Sequence, residues 1–68
     1  MKYPQGTKFI RRGDKNKRVL TVIDYHTTRN ISGDIVKQRY VAGHEFMGQT
    51  IIEIDICETT ISRGDILP

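Results

Sequence analysis

Thr50-Ile51-Ile52-Glu53-Ile54-Asp55-Ile56-Cys57 is the most apolar stretch of the chain, and from Ile52 onward it alternates without a break. Ile52, Ile54 and Ile56 fall on one side, and Glu53, Asp55 and Cys57 on the other. That is the period-two pattern of a strand with one buried and one wet face. Shorter strands are expected to pair onto it, with the three isoleucines lining the interior.

The composition agrees with a sheet. Twenty-one of the 68 residues are Ile, Val or Thr. Branching at Cβ restricts χ1 in a helix and suits a pleated surface. One Ala, two Leu and six Gly argue against a helical bundle, and no window sustains a 3.6-residue period. The length allows a single domain, residues 1–68. Chains of this size bury only about 60% of the surface their unfolded form exposes, so a partner or a second copy is an expected source of stability.

Upstream of the isoleucine stretch the chain divides at its turn residues. Residues 1–5 read as a loose lead-in around Pro4, and Thr7 to Arg11 as a short strand in which Phe9 is the expected core contact. Gly13 to Lys17 is a polar turn. Val19 to Thr28 starts apolar on both faces and turns polar from Asp24 onward, as in a central strand that emerges at a rim. Asn30-Ile31-Ser32-Gly33-Asp34 has hairpin-loop chemistry, and Ile35 to Ala42 is the returning strand. Gly43 and Gly48 bracket His44-Glu45-Phe46-Met47, expected as an irregular connector.

After the isoleucines, Glu58 to Gly64 is expected to make one tight 3-10 turn. Thr59 or Thr60 would cap it and Gly64 would end it in a left-handed conformation. Residues 65–68 are expected to add at most an edge contact before fraying. This order describes an all-β fold. It fits a five-stranded barrel of the Src-homology-3 or Tudor type, or a strongly curled antiparallel sheet.

Charge is unevenly distributed behind a net +3. Residues 1–18 hold Lys2, Lys8, Arg11, Arg12, Lys15, Lys17 and Arg18 against Asp14 alone, whereas residues 40–68 hold Arg63 against Glu45, Glu53, Asp55, Glu58 and Asp65. The split signals either an anionic partner or first and last strands whose opposite charges pair across the sheet, because closing a small barrel makes them neighbours.

Several runs resemble a group of short, uncharacterised phage and prophage proteins. The residues are Thr21-Val22 with Asp24, His26 and Thr28, then Gly33, Val36 and Tyr40-Val41, then His44-Glu45-Phe46-Met47-Gly48-Gln49, and finally Thr59-Thr60-Ile61 with Arg63-Gly64. The resemblance covers most of residues 21–64 and implies an accessory protein made inside an infected bacterium. It transfers no catalytic residue.

Two binding surfaces follow from residue chemistry. Lys8, Arg11, Arg12, Lys15, Lys17 and Arg18 form a basic strand-turn-strand beside Phe9 and Tyr3, the kind of cluster that neutralises phosphates and stacks on bases. Phe46 and Met47, between two glycines, are anchor types for a protein partner, and Tyr25, His26 and His44 are expected to join them in one patch. The competing reading makes Phe46 and Met47 a plug for the barrel mouth, Phe46 foremost. A host or phage protein is the first-choice partner and nucleic acid the alternative. A homodimer joining basic to acidic strands is a third option.

His26, His44, Glu45 and Cys57 show no close metal-ligand spacing, so neither metal nor cofactor is expected. Asp24 and His26 share a strand face but lack a nucleophile and an oxyanion site, and no enzyme is read here. Cys57 is the only cysteine, and no apolar run is long enough for a signal peptide or membrane span. A reducing, cytoplasmic setting is therefore expected. In that setting the Arg-Gly-Asp tripeptides at 12–14 and 63–65 are turns and the Asn30-Ile31-Ser32 sequon is unused. Those tripeptides belong to two short repeats, Ile10-Arg11-Arg12-Gly13-Asp14 and Ile61-Ser62-Arg63-Gly64-Asp65.

Overall fold

A computed structural model describes residues 2–68. Strands β1 (Lys8–Ile10), β2 (Val19–Arg29), β3 (Ile35–Phe46) and β4 (Gln49–Ile56) are followed by helix α1 (Glu58–Arg63) and strand β5 (Asp65–Ile66). They form one antiparallel sheet in the order β4-β3-β2-β1-β5. The sheet is open: no backbone pairing joins β4 to β5.

The β2–β3 hairpin is the spine. Its loop closes as its residue types demand. Asn30 Oδ1 accepts from the backbone N–H of Ser32 and of Asp34, both at 3.0 Å, and Gly33 sits at φ 88°. A glycine takes that left-handed conformation without steric cost. At the other end Leu20 and Val22 face the interior, where Phe9 lies opposite Leu20 and Ala42 opposite Val22. With Tyr40, Ile56 and Ile61 of α1 they complete the core. Burial of each large side chain contributes roughly 1.5–3 kcal/mol.

Two bulges decide which residues reach that core. In β2 one extra residue between Val22 and Asp24 shifts the phase, so Tyr25 rather than Asp24 arrives opposite Tyr40. The two rings pack 4.6 Å apart. In β4 Glu53 pairs with Ala42 and Ile56 with Tyr40, three residues on one strand against two on the other. A bulge of this kind moves following side chains to the other face. Glu53 and Ile56 therefore share the core side. Ile52 and Ile54, expected inside, are 48% and 68% exposed on the opposite face.

Other expectations are also revised. His44 to Phe46 continues β3, and Met47-Gly48, at φ 50° and 77°, makes a two-residue hairpin turn in place of a connector. Such turns need positive φ at both positions, a pattern usually announced by Asn-Gly or Asp-Gly rather than Met-Gly. Phe46 is about half exposed and Met47 more so, and neither plugs anything. The segment after β4 is a six-residue α-helix capped at Cys57 without a side-chain bond, and Gly64 is extended at φ −84°. Gly64 is small for a different reason: a β-carbon there would collide with the Ile10 carbonyl oxygen, where the chain crosses β1.

Both ends are tied to the sheet. The buried Tyr40 hydroxyl accepts from the backbone N–H of Lys2 at 3.0 Å and of Tyr3 at 3.1 Å. The N–H of Leu67 donates to the Lys8 carbonyl. Curling brings β4 near the end of β1, and side chains join them. Arg11, just past β1, grips Glu53 of β4 through two hydrogen bonds of 2.6 and 3.1 Å.

Candidate functional site

The Arg11–Glu53 pair accounts for part of the charge asymmetry. Basic N-terminal residues do meet acidic C-terminal ones: Arg11 with Glu53, and Lys2 with Glu58 at 4.0 Å. Lys37 and Arg39 of β3 hold Asp55 at 3.2 and 3.3 Å. Pairing does not use up the cations. Among the described residues Lys8, Arg12, Lys15, Lys17 and Arg63 have no acidic partner within ion-pair distance.

The 11–18 loop that carries most of them is built on Asp14. Its carboxylate accepts from the N–H of Asn16 at 3.0 Å and of Arg18 at 3.2 Å, and Arg18 Nε lies 3.6 Å away. Burial pushes this carboxyl upward. The two backbone donors and the charges of Arg18 and Arg11 more than reverse that, leaving its pKa below the ordinary 3.8. With Asp14 turned inward, Arg12, Lys15 and Lys17 point to solvent. Of the basic residues expected from sequence, Arg11 is engaged by Glu53, and Lys8 lies on the sheet face opposite the core, reaching Thr21 Oγ1 at 3.4 Å. Arg63 was not among them. The fold carries it to the same end, where it lines a hollow with Arg12 and Lys17. Its only sequence signal was the repeated Ile-x-Arg-Gly-Asp.

The aromatic patch expected from sequence is divided by the register. Tyr25 faces the core side, where burial, Tyr40 and Glu58 raise its hydroxyl above the usual 10.0. His26 faces the other way, exposed beside Asp24 at 3.7 Å. Phe46 lies six residues further along β3 from the Tyr25–Tyr40 pair, about 20 Å away at roughly 3.3 Å per residue, and Met47 follows it in the turn. His44 is buried, with Nε2 at 3.4 Å from Glu53 and Nδ1 without a hydrogen-bond partner. Phe46 and Met47 thus stand apart as an exposed hairpin tip.

A larger surface went unread in the sequence. Across the outer face, the one opposite the core, Lys8, Thr21, Gly43 and Ile52 fall in one row from β1 to β4. Gly43 has no side chain in that row, and Ile52 Cδ1 leans to within 3.3 Å of where its β-carbon would stand. Val19, Ile23 and Ile52 surround it, with Lys8, Arg18 and Glu45 at the margin, in a hollow of about 530 Å³. No element covers this face among the described residues, and α1 packs on the other side through Ile61.

Among the described residues there is no group of three side chains able to hold a metal ion. No known protein family, curated protein or solved structure matches the chain.

Proposed function

We propose that this chain is a non-enzymatic protein-binding module whose contact surface is the outer face of the curled sheet. The observation that carries this reading is the hollow over Gly43, where Val19, Ile23 and Ile52 remain 40–48% exposed within a charged margin. An apolar centre with a polar rim is the usual anatomy of a protein interface, and a small soluble domain gains little from leaving such residues in water. The resemblance of residues 21–64 to short phage and prophage proteins supports a host or phage protein as the partner, met in the bacterial cytoplasm. The strand order, with a helical turn between β4 and β5, supports regarding the sheet as an open form of the Src-homology-3-like barrel.

The test is capture from a nuclease-treated bacterial lysate with the wild type and with Ile23→Asp/Ile52→Asp, both confirmed folded by circular dichroism. A protein held by the wild type and released by the variant supports the reading. Equal retention by both, or no specific retention, overturns it. Light scattering at low and high salt identifies the case in which the partner is a second copy.

A second reading, nucleic-acid binding, is favoured by one observation: Arg12, Lys15, Lys17 and Arg63 have no acidic partner among the described residues and are exposed at one end of the molecule.

A further inference from the structure

The two Ile-x-Arg-Gly-Asp segments, 51 residues apart in the chain, meet in space. Ile10 of the first pairs with Asp65 of the second across β1 and β5. Most of their residues have structural work. Ile61 is fully buried in the core. Gly13 takes φ 81°, and Gly64 makes room for the Ile10 carbonyl. Asp14 ties down the loop amides, and Arg11 is held by Glu53 of β4. The third position of each repeat is the exception. Arg12 and Arg63 make no ion pair or side-chain hydrogen bond among the described residues, yet both line one hollow of about 430 Å³.

Lys17 lines the same hollow, and its backbone is held at φ 49°. A lysine in the left-handed region is uncommon and mildly strained, and such conformations gather at binding sites. Here it is held by the N–H of Lys17 donating to the Asp14 carbonyl at 3.2 Å. The charge left in the hollow is unbalanced. Arg11 and Asp14 are neutralised by Glu53 and Arg18, so Arg12, Lys17 and Arg63 face Asp65 alone. A second hollow of about 470 Å³ adjoins it, sharing Arg11, Arg12, Gly13 and Asp14 and adding Lys15, Asn16 and Arg18. Guanidinium forks suit phosphate oxygens, and cations strung along two adjoining hollows suit a chain of phosphates better than a single one.

We infer that the paired Arg-Gly-Asp turns form a site for the phosphate backbone of a nucleic-acid strand, with Arg12, Lys17 and Arg63 as the contacting cations. This rests on the second functional reading and adds to it the place of contact. The experiment is fluorescence anisotropy with a labelled oligothymidylate, a matching oligouridylate and a duplex of equal length, each titrated from low to high salt. Inorganic phosphate serves as competitor. The wild type is compared with Arg12→Gln/Arg63→Gln, with Lys17→Gln, and with Arg29→Gln on the distant hairpin as a control.

The expected result is salt-sensitive binding by the wild type and the control. The double variant should bind at least ~10-fold more weakly, with its salt slope on the single strand lower by roughly 1.4 for two lost phosphate contacts. Wild-type binding that the double variant and Lys17→Gln retain overturns the site and leaves the second reading standing. No wild-type binding to any of the three probes at low salt overturns both. Displacement of all three probes by millimolar inorganic phosphate makes the ligand a free phosphate and overturns the strand assignment.

Discussion

The β2–β3 hairpin is one element with two different environments. Near Leu20, Val22 and Ala42 it has β1 on one side, β4 on the other and the core layer beneath, and these side chains are almost wholly buried. Beyond the Tyr25–Tyr40 pair the same strands pair only with each other, and residues 26–38 are exposed, with Ile31 fully so. Backbone pairing is common to both halves. The contrast teaches that hydrogen bonds alone do not stabilise a ribbon of this kind, since a hairpin without a third strand or a packed layer is marginal in water. Neighbouring strands and α1 stabilise the near half. The far half is an arm carried by it.

The strongest way to break this contrast is Phe9→Ala. Removing the side chain that β1 contributes to the core should cost ~3–5 kcal/mol, enough to unfold much of so small a domain in a urea titration. A loss below about 1 kcal/mol would mean that the near half does not depend on β1. Gly64→Ala should follow at roughly 1–3 kcal/mol, because its β-carbon meets the rigid Ile10 carbonyl and β1 and β5 must separate. Unchanged thermal stability would show that the crossing relaxes freely.

Glu53→Gln should lower stability by about 1 kcal/mol by weakening the partly buried Arg11 bridge from β4 to the loop after β1, with less effect at high salt. The acid limb of the stability profile probes the loop. The folded-state pKa of Asp14 lies below the ordinary 3.8, so its contribution is complete above that pH and is lost as pH falls through the folded value. Melting temperatures measured against pH should show this decline, and Asp14→Ala should remove that share of it. Ile31→Ser on the arm should change stability by less than about 0.5 kcal/mol, and arm amides should exchange with solvent far faster than those of Leu20 and Val22. Equal protection along the whole hairpin would abolish the distinction.

Much of this organisation was legible in the residues. Phe9 as a core contact, the Asn30–Asp34 loop, the polar 13–17 turn and the central long strand all followed from local chemistry. The isoleucine stretch was read correctly as a strand, and as a core wall correctly at Ile56 but not at Ile52 and Ile54. Period-two reasoning holds only while the register is unbroken, and the bulge between Glu53 and Ile56 reverses it. The same limit explains the sites. The cations of the 11–18 loop were visible because they are adjacent in sequence. Arg63 joins them only through the β1–β5 pairing, and the hollow over Gly43 exists only because four strands align.

By itself, the sequence determined the local matters: a β-rich chain, the turns at 13–17 and 30–34, which loop carries the charge, and that no large core is available. Side-chain branching, glycine freedom and hydrogen bonding to neighbouring amides act over a few residues and need no tertiary context. The tertiary structure decided which isoleucines are wet, which arginines are engaged and which are left free, and that the sheet stays open. Those outcomes depend on phase shifts and edge contacts between strands distant in sequence, and a single extra residue in a ladder is enough to exchange the faces.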